Sequence, residues 1–258
     1  MGCEAMFPLT HIWFSRKVLG YVNNMTVLGS VFPDTVIKCC LTYDQTHRAG
    51  WGLYDYFMDQ SEEYIDFVKA IAVHTVNPRG LDFYGDEEYG DGYKGYCFQK
   101  ASKIEKEVIT ACNIPEKLGL WKAHNFIEMG IELNISDSEK ELADIFTKGL
   151  NDKLLIRELS SHIDKYFGLK RMSTAECFSK FNDFLELEDL NSFTLSCRYN
   201  TQMQVKHGIE INISKCRDII EKCRSIVEED FEKFIAYCTE KVEAMLKEKN
   251  IWISKLPY

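Results

Sequence analysis

Proline is scarce in this sequence. Pro8, Pro33, Pro78, Pro115 and Pro257 are the only five among 258 residues, and each falls between or at the end of an apolar periodic stretch. A chain with so few helix breakers can sustain many helices, as in a bundle. Internal repeats and low-complexity tracts are absent, which excludes a solenoid and a compositionally disordered chain. No apolar run approaches the roughly 20 residues of a membrane-spanning helix. The N-terminus lacks the basic, apolar, small-residue order of a signal peptide. No CxxC pair occurs among the ten cysteines. Cys216, Cys223 and Cys238 recur at helical spacings among Ile, Val and Phe, so they read as small core residues rather than a disulfide framework. The expected setting is reducing and cytoplasmic. Basic residues are also in deficit: 31 Lys and Arg against 40 Asp and Glu give a net charge of −9. That balance repels phosphate backbones and disfavours a nucleic-acid partner, although a bound metal ion can invert the field locally.

What remains is a chain that is 45% hydrophobic, long enough to bury a sizeable core. The clearest helix is expected over residues 214–248. There Ile219, Cys223, Ile226, Val227, Phe231, Phe234, Cys238, Val242 and Met245 recur at three- and four-residue intervals, with charges on the other face. A second helix is expected to start at Ser138, where Ser138 and Glu141 have capping-box spacing ahead of Leu142, Ile145 and Phe146. Further helices are expected over 10–22, 61–76, 102–112, 115–133, 161–167 and 174–187. Residues 192–199 read as an extended segment, and 29–33 and 77–95 as loops. The fold class is therefore all-α, a multi-helix bundle. The polar cluster at 134–138 marks a boundary near residue 135 between an N-terminal region (1–135) and a helical C-terminal region (136–258). It is either a domain boundary or a turn inside one domain.

Four of the six histidines, His11, His47, His74 and His124, lie in the first half. His74 follows Phe67 and Ile71 at helical intervals, and His124 follows Trp121 by three, so both face inward. Glu128 follows His124 by one turn on a helix apolar around most of its circumference. A buried carboxylate needs a cation or a metal. The competing reading is an exposed His–Glu pair on a narrow polar stripe completed by Glu132. Asp34 ends Gly-Ser-Val-Phe-Pro-Asp, read as a turn held by Pro33, and Asp82 follows His74 beyond Pro78 and Gly80. Singly, each of these reads as an ordinary turn or surface residue. Their succession in one half of the chain points to a metal site.

That succession resembles the zinc-dependent phospholipase C family, a superfamily that includes single-strand-specific zinc nucleases. The similar pieces are Leu-Thr-His at His11, Gly-Ser-Val-Phe-Pro-Asp at Asp34, Thr-His at His47, Ala-Val-His at His74 and Ala-His-Asn-Phe-Ile-Glu at His124 and Glu128. They span roughly residues 9 to 132, in the family's order. The resemblance implies an all-helical bundle with metals between helices of the N-terminal half. Its implied ligands are His11, Asp34, His47, His74, Asp82, His124 and Glu128, with Asp34 also the candidate general base. The sequence departs from the family where Pro78 stands four residues after His74, in place of an Asp. Either Asp82 substitutes for it or a ligand is lost. The histidine that often follows that Asp is missing, and no processed N-terminal amine is expected as a ligand. The expected cofactor is therefore one or two ions, zinc or alternatively iron or manganese.

The implied activity is metal-dependent hydrolysis of a small phosphoester. Two alternatives stay open. One is a non-catalytic helical protein with a structural metal or none. The other is a di-iron oxygen-using enzyme, whose usual doubled Glu-x2-His pattern this sequence lacks. Substrate and oligomeric state are not readable. The segment 77–95, rich in glycine and tyrosine, reads as a mobile rim over the site, or as an ordinary surface insertion.

Overall fold

A computed structural model describes residues 7–184 and 189–251. Among them the secondary structure is helices joined by turns and loops, and the only β-type pairing is a single bridge between Ile37 and Leu41. The all-α bundle expected from the sequence is what forms.

The first helices carry most of the site. α1 (Pro8–Leu19) opens with proline in its first turn, where a missing N–H costs nothing. α2 (Asn24–Val36) starts at a reciprocal capping box between Asn23 and Thr26. Its sequence contains Gly-Ser-Val-Phe-Pro-Asp, so this segment is not the expected loop: Pro33 lies inside the last turns of the helix and Asp34 follows it there. α3 (Tyr43–His47) is a short helix capped by Thr42 and Gln45. α4 (Gly50–Gln60) leads through a 3-10 turn (Glu62–Tyr64) into α5 (Ile65–His74).

α2 and α5 form the most extensive helix pair. Gly29 makes it possible, because a Cβ there would lie 2.2 Å from the Phe67 carbonyl oxygen. This close approach lays the C-terminal ends of the two helices, with Asp34 and His74, side by side.

The segment expected as a loop over 77–95 is partly helical. A π-helical turn (Phe83–Glu87) follows Asp82 directly. Its tyrosines do not hang over the site. Tyr84 and Tyr96 are buried, Tyr84 meets Tyr237, and Tyr89 and Tyr96 pack on Phe234. Only Tyr93 stands fully in solvent.

α6 (Tyr96–Ala101) and α7 (Glu105–Cys112) lead through a 3-10 turn (Glu116–Leu118) into α8 (Gly119–Ser138), the long buried helix expected from its apolar circumference. Ser138 ends this helix and caps nothing. α9 (Leu142–Asn151) begins beyond a turn at 139–141, so the break falls a few residues after the expected boundary. α10 (Lys153–Phe167) and α11 (Ser173–Phe184) follow, and the expected helix residues 185–187 lie outside the described residues.

α12 (Ser192–His207) replaces the extended segment expected at 192–199. Asn191 accepts from the Phe193 and Thr194 backbone amides, an N-cap that outweighs the alternation of residue types. The single helix expected over 214–248 is two: α13 (Ile213–Glu228) and α14 (Phe231–Glu248). The break is held from outside, since Asp230 takes hydrogen bonds from Tyr96 Oη (2.8 Å) and Lys100 Nζ (2.7 Å) of α6.

α8 is the axis on which the halves meet. It packs on α1, α6, α7 and α13, and α13 also meets α7. Gly130 allows the α13 contact, because a Cβ there would come within 2.9 Å of the Cys223–Arg224 backbone. Buried apolar side chains from α1 through α14 form one contiguous cluster. The cysteine reading needs one correction. Cys216, Cys223 and Cys238 are buried core thiols as expected, but Cys39 and Cys177 are joined in a disulfide that ties the end of α2 to α11. A bond between residues 138 positions apart carries no local spacing signal.

Candidate metal centre

Each site residue is placed by a backbone device that can be named. His11 sits in the first turn of α1. Glu132 of α8 clamps that turn, accepting from the Leu9 amide (2.9 Å), the Thr10 amide (2.8 Å) and the Thr10 hydroxyl (2.6 Å). Glu132 thereby satisfies orphan donors at the positive end of α1. His47 and His74 are the last residues of α3 and α5. The chain after His74 is stitched to His47, whose carbonyl accepts from the Val76 (3.0 Å) and Asn77 (2.9 Å) amides. Asp82 enters just ahead of the π-helical turn, and His124 and Glu128 project from one face of α8.

The imidazoles are oriented by their second nitrogens. His74 Nδ1 lies 2.6 Å from the Ser30 carbonyl oxygen, which can only accept, so Nδ1 carries a proton and Nε2 is the nitrogen that offers a lone pair once the ring is neutral. His47 Nδ1 lies 2.7 Å from Thr46 Oγ1, whose own hydroxyl donates to the Tyr43 carbonyl at 3.1 Å. The hydroxyl proton is committed there, so His47 Nδ1–H donates to Thr46 and Nε2 is again left with a lone pair. His124 Nδ1 donates to the Trp121 carbonyl, and its ring stacks on Phe98. This is the arrangement in which histidines serve as metal ligands, with the outer nitrogen bonded to a backbone or hydroxyl oxygen.

The Nε2 atoms converge on carboxylates. His74 Nε2 is 3.1 Å from Asp82 Oδ2; His47 Nε2 is 3.4 Å from the same oxygen and 3.3 Å from Asp34 Oδ1. His11 Nε2 lies 3.7 Å from Asp82 Oδ1 and 3.8 Å from Asp34 Oδ2. Adjacent ligands of a tetrahedral ion lie about 3.4 Å apart, given bonds of about 2.1 Å. These separations match. His74 Nε2 and His11 Nδ1 are also buried polar atoms with no hydrogen-bond partner.

Three groups of ligand atoms close enough to share an ion emerge: His11, Asp34 and His74; His47, His74 and Asp82; and Asp86, His124 and Glu128. The first two share His74 and form one five-residue cluster. The third is a separate grouping on α8 and the π-helical turn. The structure thus brings all seven sequence-derived residues into these groups, Asp82 among them beside His47 and His74. It also adds Asp86, which sequence reasoning missed. Asp86 follows Asp82 by four, so the spacing was visible, but it fell in a stretch read as loop. One of its oxygens, Oδ1, is buried and unpartnered.

The electrostatics fit a cation site. Burial drives the His11 ring down to about 4, assisted by the neighbouring His74. For His74 burial works the same way, but the Asp82 and Asp34 charges outweigh it and raise the ring to about 9. The two rings are stacked with centroids 3.7 Å apart, and such a pair does not hold two cations. Burial alone would raise Asp34 and Asp82, yet the imidazoles, His74 first, hold both below the usual carboxylate range. Asp86 and Glu128 go the other way. Burial, then the charge of Asp82 on Asp86 and of Asp86 on Glu128, pushes both well above it. Carboxylates crowded together in a half-buried cavity are stabilised as anions by a bound dication.

Both groupings open on one polar cavity of about 110 Å3, which Asp34, Asp82, Asp86, His124 and Glu128 line. A smaller apolar compartment of about 40 Å3 abuts it through His11, Asp82, Asp86 and Glu128 and is walled by Phe231, Phe234 and Ile235. Among the described residues no helix is long and apolar enough to cross a membrane. Comparison with protein-family models, curated proteins and solved structures finds no match to this chain.

Proposed function

We propose that this protein is a metal-dependent phosphoester hydrolase that carries two ions, one in the His11–Asp34–His47–His74–Asp82 cluster and one at Asp86–His124–Glu128. The observation that carries the reading is the convergence of four histidines and four carboxylates, all but the buried His74 lining one solvent-reachable cavity. A purely structural site would satisfy one ion with four ligands and close around it. Here ligand atoms for more than one ion share an open cavity.

Bound ions would supply charge neutralisation at the phosphoryl oxygens and lower the pKa of an attacking water. The chain's own residues do the rest. Imidazole lone pairs and carboxylates suit zinc, and equally iron or manganese. Thr46, Ser30 and Trp121 fix the histidine tautomers through the outer nitrogens, so the ligands need no reorganisation on loading. Asp34 has one oxygen toward His47 and the other toward His11, and it lines the cavity. It is placed to bind with one oxygen and accept the water's proton with the other.

The test is elemental analysis of protein reconstituted with zinc, iron or manganese, followed by turnover of chromogenic phosphate mono- and diesters. Two equivalents of metal and chelator-sensitive turnover are expected. Metal without turnover of any ester would favour the structural-metal reading, and no metal would overturn the site. The apolar compartment beside Asp86 and Glu128 suits a small nonpolar molecule such as dioxygen, which is the feature favouring a di-iron reading. Oxygen consumption by the iron-loaded, reduced protein separates it from hydrolysis.

A further inference from the structure

The apolar compartment beside the candidate ion sites contains a glycine that the fold does not require. Gly85 sits in the π-helical turn, one residue before Asp86, and is buried. Glycine weakens a helical turn, so its presence usually answers a left-handed backbone or a tight contact. Gly85 has neither. Its φ lies outside the left-handed region, and a Cβ built there would touch a single atom outside its own turn, the Cys97 sulfur at an ordinary 3.9 Å. Gly95 is the contrast, since a Cβ there would lie 2.2 Å from the Gly85 carbonyl oxygen. A buried residue whose missing side chain would meet open space faces a cavity. For Gly85 that cavity is the compartment of about 40 Å3, which Gly85 and Cys97 both line.

The compartment adjoins the polar cavity of the candidate ions. Phe7, His11, Asp82, Asp86 and Glu128 line both. A group held on ions in the polar cavity therefore has apolar space directly beside it. At roughly 10–15 Å3 for each water-sized atom, there is room for about three non-hydrogen atoms. The wall supplied by α14 is fixed. Phe234 is buried and stacks on Tyr96 with centroids 4.2 Å apart, Phe231 packs on Trp13, and Ile235 is fully buried. Side chains packed in this way do not step aside for a longer group, because close-packed interiors admit little extra volume.

We propose that this compartment receives the apolar substituent of the phosphoester and limits it to a short alkyl group of about three carbons, with Gly85 leaving the room and Ile235 closing it. The proposal rests on the hydrolase reading of the same site and narrows its substrate class. An alkyl chain suits the lining, where each buried methylene is worth about fourfold in affinity. A sugar or glycerol substituent would set hydroxyl groups against Leu81, Ile131, Phe231 and Phe234 without partners. A long-chain substituent would not fit.

The test uses ligands that cannot be hydrolysed. Zinc-loaded protein is titrated by calorimetry at one pH with methyl-, ethyl-, propyl-, butyl- and hexylphosphonate, which share one headgroup. Zinc content is measured on each sample. Wild-type affinity should rise about fourfold per carbon from methyl to propyl and fall by hexyl. Gly85→Ala puts one methyl group into the compartment and should lower the ratio of propyl- to methylphosphonate affinity by about fourfold. Ile235→Val removes one methyl group and should raise the ratio of butyl- to propylphosphonate affinity. A general loss of stability does not produce such opposite shifts. If Gly85→Ala does not load zinc, the Ile235→Val ratio decides. Wild-type affinity that ignores chain length or keeps rising through hexyl, or ratios unmoved in zinc-loaded variants, would overturn the proposal and leave the hydrolase reading standing. A wild type that takes up no zinc, or that takes it up and binds no phosphonate, would overturn both.

Discussion

At the scale of single residues, the second-sphere partners matter as much as the ligands. Thr46 has no exposure and no role in the core except to accept from His47 Nδ1–H and pass its own proton to the Tyr43 carbonyl. Thr46→Val keeps the volume and removes the acceptor. Metal affinity is expected to fall about ten- to a hundredfold, the usual effect of losing an outer hydrogen bond to a ligand. Competition with a chromophoric chelator measures it, and unchanged affinity would show that His47 needs no orientation or does not bind. Much of this level was legible in the sequence, because His124 and Glu128 are one helical turn apart and His74 lies on an apolar face. The roles of Thr46 and Ser30 were not. Their contacts depend on where α3 ends and how closely α2 approaches α5, which no local pattern encodes. Asp86 was hidden by composition: glycine, aspartate and tyrosine around it read as loop, while the chain forms a π-helical turn.

At the scale of elements, the position of α1 depends on a single carboxylate from α8. Glu132 is fully buried, and burial, against the bonds from Thr10 and Leu9, raises its pKa from an ordinary 4.5 to about 7. A raised acid binds its proton more tightly in the folded chain. Its ionisation therefore costs stability, by nothing below pH 4.5 and by an amount that grows with pH until it is complete above about 7. On the order of 3 kcal/mol follows from a shift of this size. Glu132→Gln cannot ionise and keeps an acceptor for α1. Between pH 5 and pH 8 the wild type should lose stability relative to the variant by that order, measured by urea unfolding at both values. Parallel pH dependence in the two proteins would show that Glu132 does not titrate in this range. Elements were otherwise legible where a 3.6-residue period was long, as in α8, α13 and α14. The errors came where tertiary bonds decide. The chain breaks between α13 and α14 at Glu229–Asp230, without proline or glycine, because Tyr96 and Lys100 hold Asp230. Pro33 stays inside α2 because Gly29 seats that helix on α5 and packing outweighs the one lost N–H.

At the scale of the whole molecule, the candidate site lies where separate parts of the fold meet, so a metal bound there would be linked to folding. α1, α2, α3, α5, the π-helical turn and α8 each contribute a ligand, and no two neighbours in sequence suffice for an ion. An unfolded chain cannot hold that geometry, and binding energy is then folding energy. The ligands must also shed protons. Histidines bind as neutral lone pairs and carboxylates as anions. In the metal-free protein, nearby Asp82 and Asp34 keep His74 protonated to about pH 9. Asp86 and Glu128 are raised well above the usual range, by burial first and then by the charge of Asp82 on Asp86 and of Asp86 on Glu128, so they give up their protons less readily than ordinary carboxyls. Zinc uptake at pH 7 is therefore expected to release protons from these three groups, and affinity should weaken as the pH falls and competition for the ligands increases. The measurement is a titration with zinc in weak buffer containing an indicator dye, run beside a melting curve at each metal concentration. Acidification should rise with zinc up to two equivalents, and the melting temperature should keep rising as free zinc exceeds its dissociation constant, by about 4 kcal/mol of stabilisation at a thousandfold excess. Zinc uptake with no proton release would show that these ligands are already deprotonated, and a melting temperature indifferent to zinc would show that the ion does not bind the folded site.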